Sequence, residues 1–188
     1  MSLRIRSIEP RDLSEVRAEL ETHWHSHQIW SLGRCHQADA LPGFVAEVVV
    51  GDVVGDVAGD VCEAVARNGS AGAFAGLVTL NMDPGAWQCE VITLSSRGKA
   101  PGTGAALLAA AERYAREHGC KRIYLTTTND NTAAMRFYQR QGWRLAALHA
   151  GIVDRVRKLV PDLPRTGFDE IPIRDEIELE RWLVDGVE

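Results

Sequence analysis

The chain has 188 residues, of which 45% are hydrophobic and 25% charged, as expected of an ordinary globular protein with one hydrophobic core rather than a disordered chain. Its formal net charge of −5, from 21 basic and 26 acidic residues, argues against a nucleic-acid partner, which would call for a basic face. The four cysteines lie far apart with no CxxC pair, so neither a disulfide framework nor a zinc site is expected.

The amino-terminal third predicts a strand, a helix and a second strand. Residues 3–8 alternate apolar and polar side chains, which is typical of an edge strand, and Pro10 opens a stretch with an apolar stripe at helix spacing. Residues 24–42 have mixed polarity and are interpreted as a short helix followed by a loop. Residues 43–50 form the next predicted strand. The charged side chains of this region leave no space for a secretory apolar segment, so we expect a cytosolic protein without a membrane partner, built as a single domain over 1–188.

Residues 51–61 contain three copies of Gly-Asp-Val at a period of four. A calcium-binding repeat needs more copies and a different spacing of oxygen ligands. We interpret the repeat as a glycine-rich turn or an irregular insertion between two strands, and its purpose stays open.

From residue 72 onward, predicted strands and helices alternate. Two apolar, β-branched runs at 72–80 and 87–95 flank turn residues and predict an antiparallel hairpin. The elements predicted after them are a helix over 103–118, a strand over 121–128, a helix over 131–141, a strand over 143–149, a basic helix over about 152–159 and a final strand over 172–183. We expect a sheet with helices packed on it, and the edge of the final strand could pair with a second subunit in a homodimer.

A glycine turn lies between the hairpin and the first of these helices. Gly102 and Gly104 allow the backbone to approach a ligand closely, and the helix that starts at Thr103 presents unpaired N–H groups and a partial positive charge. Arg97 and Lys99 add mobile positive charge on the approach. Such a turn is suited to bind a pyrophosphate.

Two other phosphate-binding motifs do not fit this turn. A P-loop needs Lys and then Ser or Thr after the second glycine, where this chain has Ala105 and Ala106. A dinucleotide fingerprint needs Gly or Ala at the place of Leu107. A dinucleotide-binding oxidoreductase is therefore the less favoured alternative.

A second block of residues follows the strand at 121–128. Asn131 is placed to cap the next helix, and Ala134 and Tyr138 share one helical face, so that the small residue leaves space beside the tyrosine. A phenol in such a slot can donate its proton to a leaving thiolate. Spacing alone favours a simpler interpretation, a core tyrosine whose hydroxyl reaches the surface.

Together the two blocks resemble the GNAT superfamily of N-acetyltransferases. The turn 99–104 with its Ala-Leu-Leu helix resembles the acetyl-CoA motif Gln/Arg-x-x-Gly-x-Gly/Ala of that family, and the run 131–143 resembles its second conserved block. The matching region, about 87–149, covers about a third of the chain. The segment 171–176 resembles a little-characterised branch of the family.

The resemblance implies a mixed α/β fold with a central splayed, mostly antiparallel sheet of about seven strands flanked by helices. It also implies direct transfer of an acetyl group from acetyl-CoA to a small-molecule or peptide amine in a ternary complex, without a metal. Acetyl-CoA would enter between the strands 87–95 and 121–128, and Tyr138 would protonate the departing sulfur. The implied cofactor-binding residues are Leu94, Ser95, Lys99, Ala100, Gly102, Thr103, Gly104, Asn131, Ala134 and Tyr138.

Two residues depart from the family's pattern. Lys99 stands where Gln or Arg is usual, which keeps the charge but loses the planar donor geometry. Pro101 has no N–H, so the turn offers one donor fewer. We expect these changes to affect the affinity for the cofactor more than binding itself.

Glu90 lies in the middle of the apolar run 87–95 and is expected to share a face of the strand with Ile92 and Leu94. A carboxylate there is partly desolvated, which suits it to accept a proton near neutral pH. We interpret Glu90 as the general base for the attacking amine, directly or through a water. A structural ion pair with an arginine on a neighbouring strand is an equal alternative.

The remaining polar clusters have simpler interpretations. His23, His25 and His27 do not form a metal-ligating pattern, because His25 lies off the helical face of the other two. The acidic side chains near the end of the chain are interpreted as the exposed face of the last strand or as the rim of an acceptor pocket; they are Asp169, Glu170, Asp175, Glu176, Glu178 and Glu180.

The sequence does not identify the acceptor. Polyamines, aminoglycosides, amino acids and protein amines all stay open, and so does a non-catalytic acyl-CoA-binding or sensor domain on the same fold.

Overall fold

The computed structural model describes residues 2–49, 72–98 and 100–184. The strands in these ranges are β1 (Ser2–Ser7), β2 (Gln28–Ser31), β3 (Arg34–Gln37), β4 (Gly43–Val49), β5 (Ala73–Asp83), β6 (Gln88–Ser96), β7 (Arg122–Thr128), β8 (Arg144–His149) and β9 (Glu176–Trp182). The α-helices are α1 (Leu13–Trp24), α2 (Thr103–Glu117), α3 (Thr132–Arg140) and α4 (Ile152–Arg157), and short 3-10 turns lie at Pro10–Asp12, Ala38–Ala40 and Phe168–Glu170.

Seven strands form one sheet in the order β1-β4-β5-β6-β7-β9-β8, in which only β6 and β7 pair in parallel. The mixed α/β fold with a mostly antiparallel sheet of about seven strands is thereby confirmed. The final strand, β9, lies between β7 and β8, so the prediction that its edge is open to a second subunit is wrong. The long connection after β8 returns the chain to the space between β7 and β8, where β9 pairs with both. Strand β8 is therefore at the edge of the sheet.

Each face of the sheet carries its own hydrophobic core. Helix α2 packs on one face, where its apolar side chains meet those of the central strands, among them Val78, Leu80, Leu107, Leu108 and Ile123. Helix α1 packs on the opposite face, with Val16, Leu20, Val45, Leu77 and Ile92. The apolar stripes that predicted both helices are the surfaces buried here.

Residues 24–42 differ most from the prediction of a short helix and a loop. Helix α1 ends at Trp24 because His25 adopts a left-handed conformation, with φ 53°. Strands β2 and β3 then form an antiparallel hairpin, closed by Leu32 and Gly33 at φ 50° and 74°. A two-stranded hairpin is barely stable alone, so this one depends on the sheet surface beneath it, which the local sequence does not reveal.

A β-bulge interrupts β6. Its pairing with β5 runs Thr79↔Thr93 and then Leu80↔Val91, which leaves Ile92 as the extra residue. Ile92 packs with the core beside α1, whereas Leu94 packs with the core beside α2. The expectation that Leu94 shares a face with Glu90 and Ile92 is therefore wrong, because the bulge reverses the alternation.

The other predicted elements are confirmed, with boundaries that differ by a few residues at most. The Gly-Asp-Val repeat at 51–61 lies outside the described residues. No helix within the described ranges is both long enough and apolar enough to cross a membrane.

Candidate active site

The parallel strands β6 and β7 separate partway along their length. Residues 88–91 of β6 pair with residues 122–125 of β7, and beyond this point the two strands no longer pair with each other. The gap lies where the sequence predicts that acetyl-CoA enters. Ligands of open α/β sheets bind at such points, outside the carboxyl ends of diverging strands.

A cleft of about 630 Å³ lies on the α2 side of this gap. Its walls are the end of β6, the turn before α2, the first turn of α2 and one face of α3. Eight of the ten predicted cofactor-binding residues line it, namely Leu94, Ser95, Ala100, Gly102, Thr103, Gly104, Ala134 and Tyr138. The cleft is also lined by residues that were not predicted: Ser96, Gly98, Pro101, Ala105, Ala133, Phe137 and Gln141.

The two other predicted residues are not part of this lining. Asn131 caps α3, since its Oδ1 accepts a hydrogen bond from the Ala134 N–H at 3.1 Å. This confirms the predicted cap, and a contact between Asn131 and the cofactor stays a prediction. Lys99 lies outside the described residues.

Arg97 does not supply mobile charge to the turn, and that expectation is wrong. Its Nε donates to Oε2 of Glu19 at 2.6 Å, and its guanidinium lies 4.6 Å from the centroid of the Phe74 ring. Glu19 is 1% exposed, so a buried carboxylate on α1 holds this arginine in place.

The turn before α2 presents unpaired N–H groups to the cleft. Gly102 caps the helix at φ 82°, a left-handed conformation that favours glycine. The Ala106 N–H closes the first turn by donating to the Gly102 carbonyl at 2.9 Å. The N–H groups of Gly104 and Ala105 have no backbone acceptor among the described residues, and both residues line the cleft. This arrangement is suited to bind an anion.

Two glycines allow the walls of the cleft to come close together. A Cβ on Gly104 would lie 3.1 Å from Cζ of Phe137, so the first turn of α2 contacts the ring on α3. A Cβ on Gly76 of β5 would lie 2.6 Å from the Ser95 carbonyl oxygen. Because Gly76 has no side chain, the end of β6 can lie close against β5 at the gap.

Tyr138 projects from α3 into the cleft. Its side chain is buried, its ring lies 5.2 Å from that of Phe137 and 5.9 Å from that of Trp143, and burial raises its pKa well above the ordinary value. Its hydroxyl has no hydrogen-bond partner in the part of the chain that the structure describes. The phenol is thus a core residue that also faces the cleft, and it keeps its proton at neutral pH.

Glu90 lies on the opposite face of the sheet, one residue before β6 and β7 separate. It is 1% exposed, and its carboxylate accepts hydrogen bonds from two hydroxyls and forms an ion pair with an arginine, all from the hairpin and from β7. Ser31 Oγ donates to Oε1, Tyr124 Oη donates to Oε2 at 3.1 Å, and Arg34 Nη2 lies 3.6 Å from Oε2. Burial and the nearby Glu90 charge raise the pKa of Tyr124 to about 12. The arginine beside Glu90 therefore comes from β3 and not from a neighbouring strand of the sheet.

The interpretation of the acidic tail as one exposed face is wrong for two of its members. Glu176 and Glu178 are 5% and 7% exposed, because β9 is an internal strand and both carboxylates are bound by neighbouring groups. Oε2 of Glu176 accepts from the Leu32 N–H at 2.8 Å, and burial raises the pKa of Glu176. Oε2 of Glu178 lies 2.7 Å from Nε2 of His149. The tip of the hairpin thus rests on carboxylates of β6 and β9.

The amino-terminal histidines do not gather around one point. His23 lies 3.2 Å from Glu19 and His27 lies 3.4 Å from Glu21. Within the described residues, no group of three or more potential metal ligands comes together.

Known proteins are similar to this chain in sequence and in fold. Residues 59–143 match the model of the Acetyltransferase (GNAT) family. The uncharacterized protein YxbD of Bacillus subtilis (strain 168) is 35% identical over 174 residues, which cover 93% of this chain and 94% of YxbD.

Two solved structures share the fold. A Bacillus subtilis acetyltransferase in complex with CoA has a TM-score of 0.60 at 16% identity, with 97% of this chain and 100% of that chain covered. A GNAT family acetyltransferase from Elizabethkingia anophelis with acetyl-CoA bound has a TM-score of 0.56 at 15% identity, with 96% and 97% covered.

Proposed function

The chain belongs to the GNAT family of acetyltransferases, and we propose that it moves the acetyl group of acetyl-CoA to an amine by direct attack in a ternary complex. One observation carries the proposal: the gap between β6 and β7 has a neutral phenol and unpaired amides on one face and a buried carboxylate on the other. The two faces would serve the two substrates.

Acetyl-CoA fits the cleft beside α2. The free N–H groups of Gly104 and Ala105 would bind its pyrophosphate, and the backbone at Leu94 and Ser95 would pair with the pantetheine arm. Structures related in fold bind CoA or acetyl-CoA, which supports this placement. Lys99 and Asn131 remain proposed contacts.

The acceptor amine would reach the thioester from the face that carries Glu90. The amine nitrogen attacks the carbonyl carbon, the C–S bond breaks, and Tyr138 gives its proton to the departing thiolate. Glu90 accepts the proton that the amine loses. Because Glu90 is 1% exposed, the Tyr124 hydroxyl that it binds, or a water, would relay that proton.

The acceptor remains a small-molecule or peptide amine of open identity. At the hairpin tip two carboxylates, Glu90 and Glu176, face one arginine, Arg34, and this excess of negative charge favours a cationic amine. The cytosol, expected from the sequence, stays the proposed location.

Thermal unfolding with acetyl-CoA, CoA and NAD(H) tests the first half of the proposal. A ligand that binds only the folded state raises Tm by mass action, so we expect a rise with both CoA compounds and none with NAD(H). Release of free CoA thiol in the presence of a panel of amines then tests transfer. Binding without transfer to any amine would support the non-catalytic sensor instead, and no shift with saturating acetyl-CoA would contradict both.

A further inference from the structure

A side chain from β9 joins the two helices that form the walls of the cleft. Arg181 lies on the sheet face that carries α2, because its cross-strand partner on β7 is Ile123, which belongs to the core beside α2. Its Nη1 donates to Oε1 of Glu112 on α2 at 2.7 Å, and its Nη2 donates to the Gln141 carbonyl at the end of α3. One guanidinium therefore connects α2, α3 and the sheet.

The α2 end of this bridge is a buried ion pair. Glu112 is 8% exposed, and among the described residues Arg181 is the cation that pairs with it. A distance of 2.7 Å is typical of a charge-assisted hydrogen bond. Because a buried carboxylate is strongly destabilised without its cation, the pair fixes Arg181 against α2.

The α3 end of the bridge is shaped to admit the arginine. Gln141 is the C-cap of α3, and the last carbonyls of a helix have no partner within it. Gly142 follows at φ 82°, and a Cβ there would lie 2.8 Å from Nη2 of Arg181. A larger residue at 142 would have to displace the guanidinium, so the glycine both ends the helix and leaves space for Arg181.

The bridge lies beside Tyr138 and the cleft. Gln141 itself lines the cleft. The guanidinium carbon of Arg181 lies 6.0 Å from the centroid of the Trp143 ring, and that ring lies 5.9 Å from the ring of Tyr138. The Trp143 N–H donates to the Tyr138 carbonyl at 3.0 Å. Since no hydrogen bond from a described residue holds the Tyr138 hydroxyl, its position depends on ring packing and on the placement of α3.

We propose that Arg181 is a positioning residue that sets the spacing of α2 and α3 and so holds Tyr138 and Gln141 at the cleft, an inference that rests on the proposed use of acetyl-CoA. An arginine suits this role because its planar guanidinium donates in two directions, here to a carboxylate and to a carbonyl. The two motifs supply the groups that face the cleft, and β9 sets the distance between them.

Titration calorimetry with acetyl-CoA tests the proposal without any acceptor. We expect Arg181→Gln to weaken acetyl-CoA binding about tenfold. Arg181→Lys keeps the charge beside Glu112 but loses the second direction of donation, so it should fold and still weaken binding about threefold.

Arg122→Gln is the matched control. Arg122 is also paired with carboxylates of β9, Glu178 and Glu180, but as the neighbour of Ile123 on β7 it lies on the opposite face of the sheet. Its loss should lower Tm, as the loss of Arg181 does, and leave the affinity for acetyl-CoA unchanged. A comparison of the two variants therefore separates a lower stability from a change in the cleft.

Hydrogen exchange of the protein without ligand, followed by mass spectrometry, measures the bridge itself. In Arg181→Gln the amides of residues 132–143 should exchange about tenfold faster than in wild type, because the end of α3 has lost its anchor. In Arg122→Gln they should exchange as in wild type.

The outcomes separate the two proposals. If wild type does not bind acetyl-CoA, the proposed function is wrong, and the role of Arg181 at the cleft is wrong with it. If wild type binds acetyl-CoA but both Arg181 variants bind it equally tightly, or if Arg122→Gln weakens binding as much as Arg181→Gln, the positioning role is wrong and the proposed function stands. Unchanged exchange of residues 132–143 in Arg181→Gln would also overturn the positioning role.

Discussion

The contact between the hairpin and Glu90 can be tested by stability, without knowledge of the acceptor. Ser31 is 3% exposed, and its Oγ donates to the carboxylate of Glu90 and lies 2.9 Å from Oγ1 of Thr126. Ser31→Ala removes the donor and leaves a carboxylate that is 1% exposed with one bond fewer.

The expected loss follows from the charge of the acceptor. A hydrogen bond to a charged group is worth about 1.5–3 kcal/mol, and water has little access to replace the donor here. For a chain of this size, each kcal/mol lowers Tm by about 2–4 °C. We therefore expect Ser31→Ala to lower the free energy of unfolding by about 2 kcal/mol and Tm by about 4–8 °C.

Urea and thermal unfolding, followed by circular dichroism, measure this loss. Ser26→Ala is the matched control, because Ser26 Oγ accepts an exposed bond from the Gln28 N–H at 2.9 Å and should cost less than about 1 kcal/mol. In a Glu90→Gln background, Ser31→Ala should lower the free energy of unfolding by less, because the side chain at position 90 no longer carries a charge. An unchanged Tm in Ser31→Ala, or full additivity with Glu90→Gln, would mean that the bond from Ser31 to Glu90 does not stabilise the fold.

Three further predictions concern the cleft and the buried carboxylates. Tyr138→Phe removes the proposed acid and keeps the ring, so CoA release with an accepted amine should fall about 100-fold while acetyl-CoA affinity stays within about twofold; an unchanged rate would exclude the role. Gly76→Ala places a Cβ 2.6 Å from a carbonyl oxygen and should lower the free energy of unfolding, measured in urea, by about 1–3 kcal/mol. The control Gly85→Ala in the β5–β6 turn should change it little. Burial raises the pKa of Glu176 above 4.5, so the folded state binds this proton more tightly than the unfolded state and stability rises as the pH falls through the raised value. Glu176→Gln should therefore have the higher Tm at pH 7, and the difference should vanish near pH 4; a lower Tm at pH 7 would contradict this.

Most of the cleft beside α2 could be predicted because its residues are close together in the sequence. Gly102, Thr103 and Gly104 form one turn, and Ala134 and Tyr138 lie on one helical face. Their signals, glycine before a helix and spacing along a helix, act within a few residues. The side chain of Arg97 could not be placed in this way, because its partner Glu19 lies on α1, 78 positions away along the chain.

The contacts of Glu90 could not be predicted from the sequence. The sequence shows an acid in the middle of an apolar strand, but it does not show which side chains surround that acid. The β2–β3 hairpin has short strands of mixed polarity, and nothing in residues 28–37 predicts that Ser31 and Arg34 reach a carboxylate on β6. The bulge at Ile92 was equally hidden, because it depends on the register with β5.

The helices, most strands and the glycine turn could be predicted from periodicity, capping and turn chemistry, because these signals act over short distances along the chain. The family was indicated by the resemblance of the two motifs at 99–104 and 131–143. The tertiary structure alone decided which polar groups meet. Ser31 and Glu90 are 59 positions apart, and Leu32 and Glu176 are 144 apart. Such contacts form only when burial of the apolar faces brings distant strands together. A buried carboxylate is then stabilised by the donors that this packing places within hydrogen-bond distance.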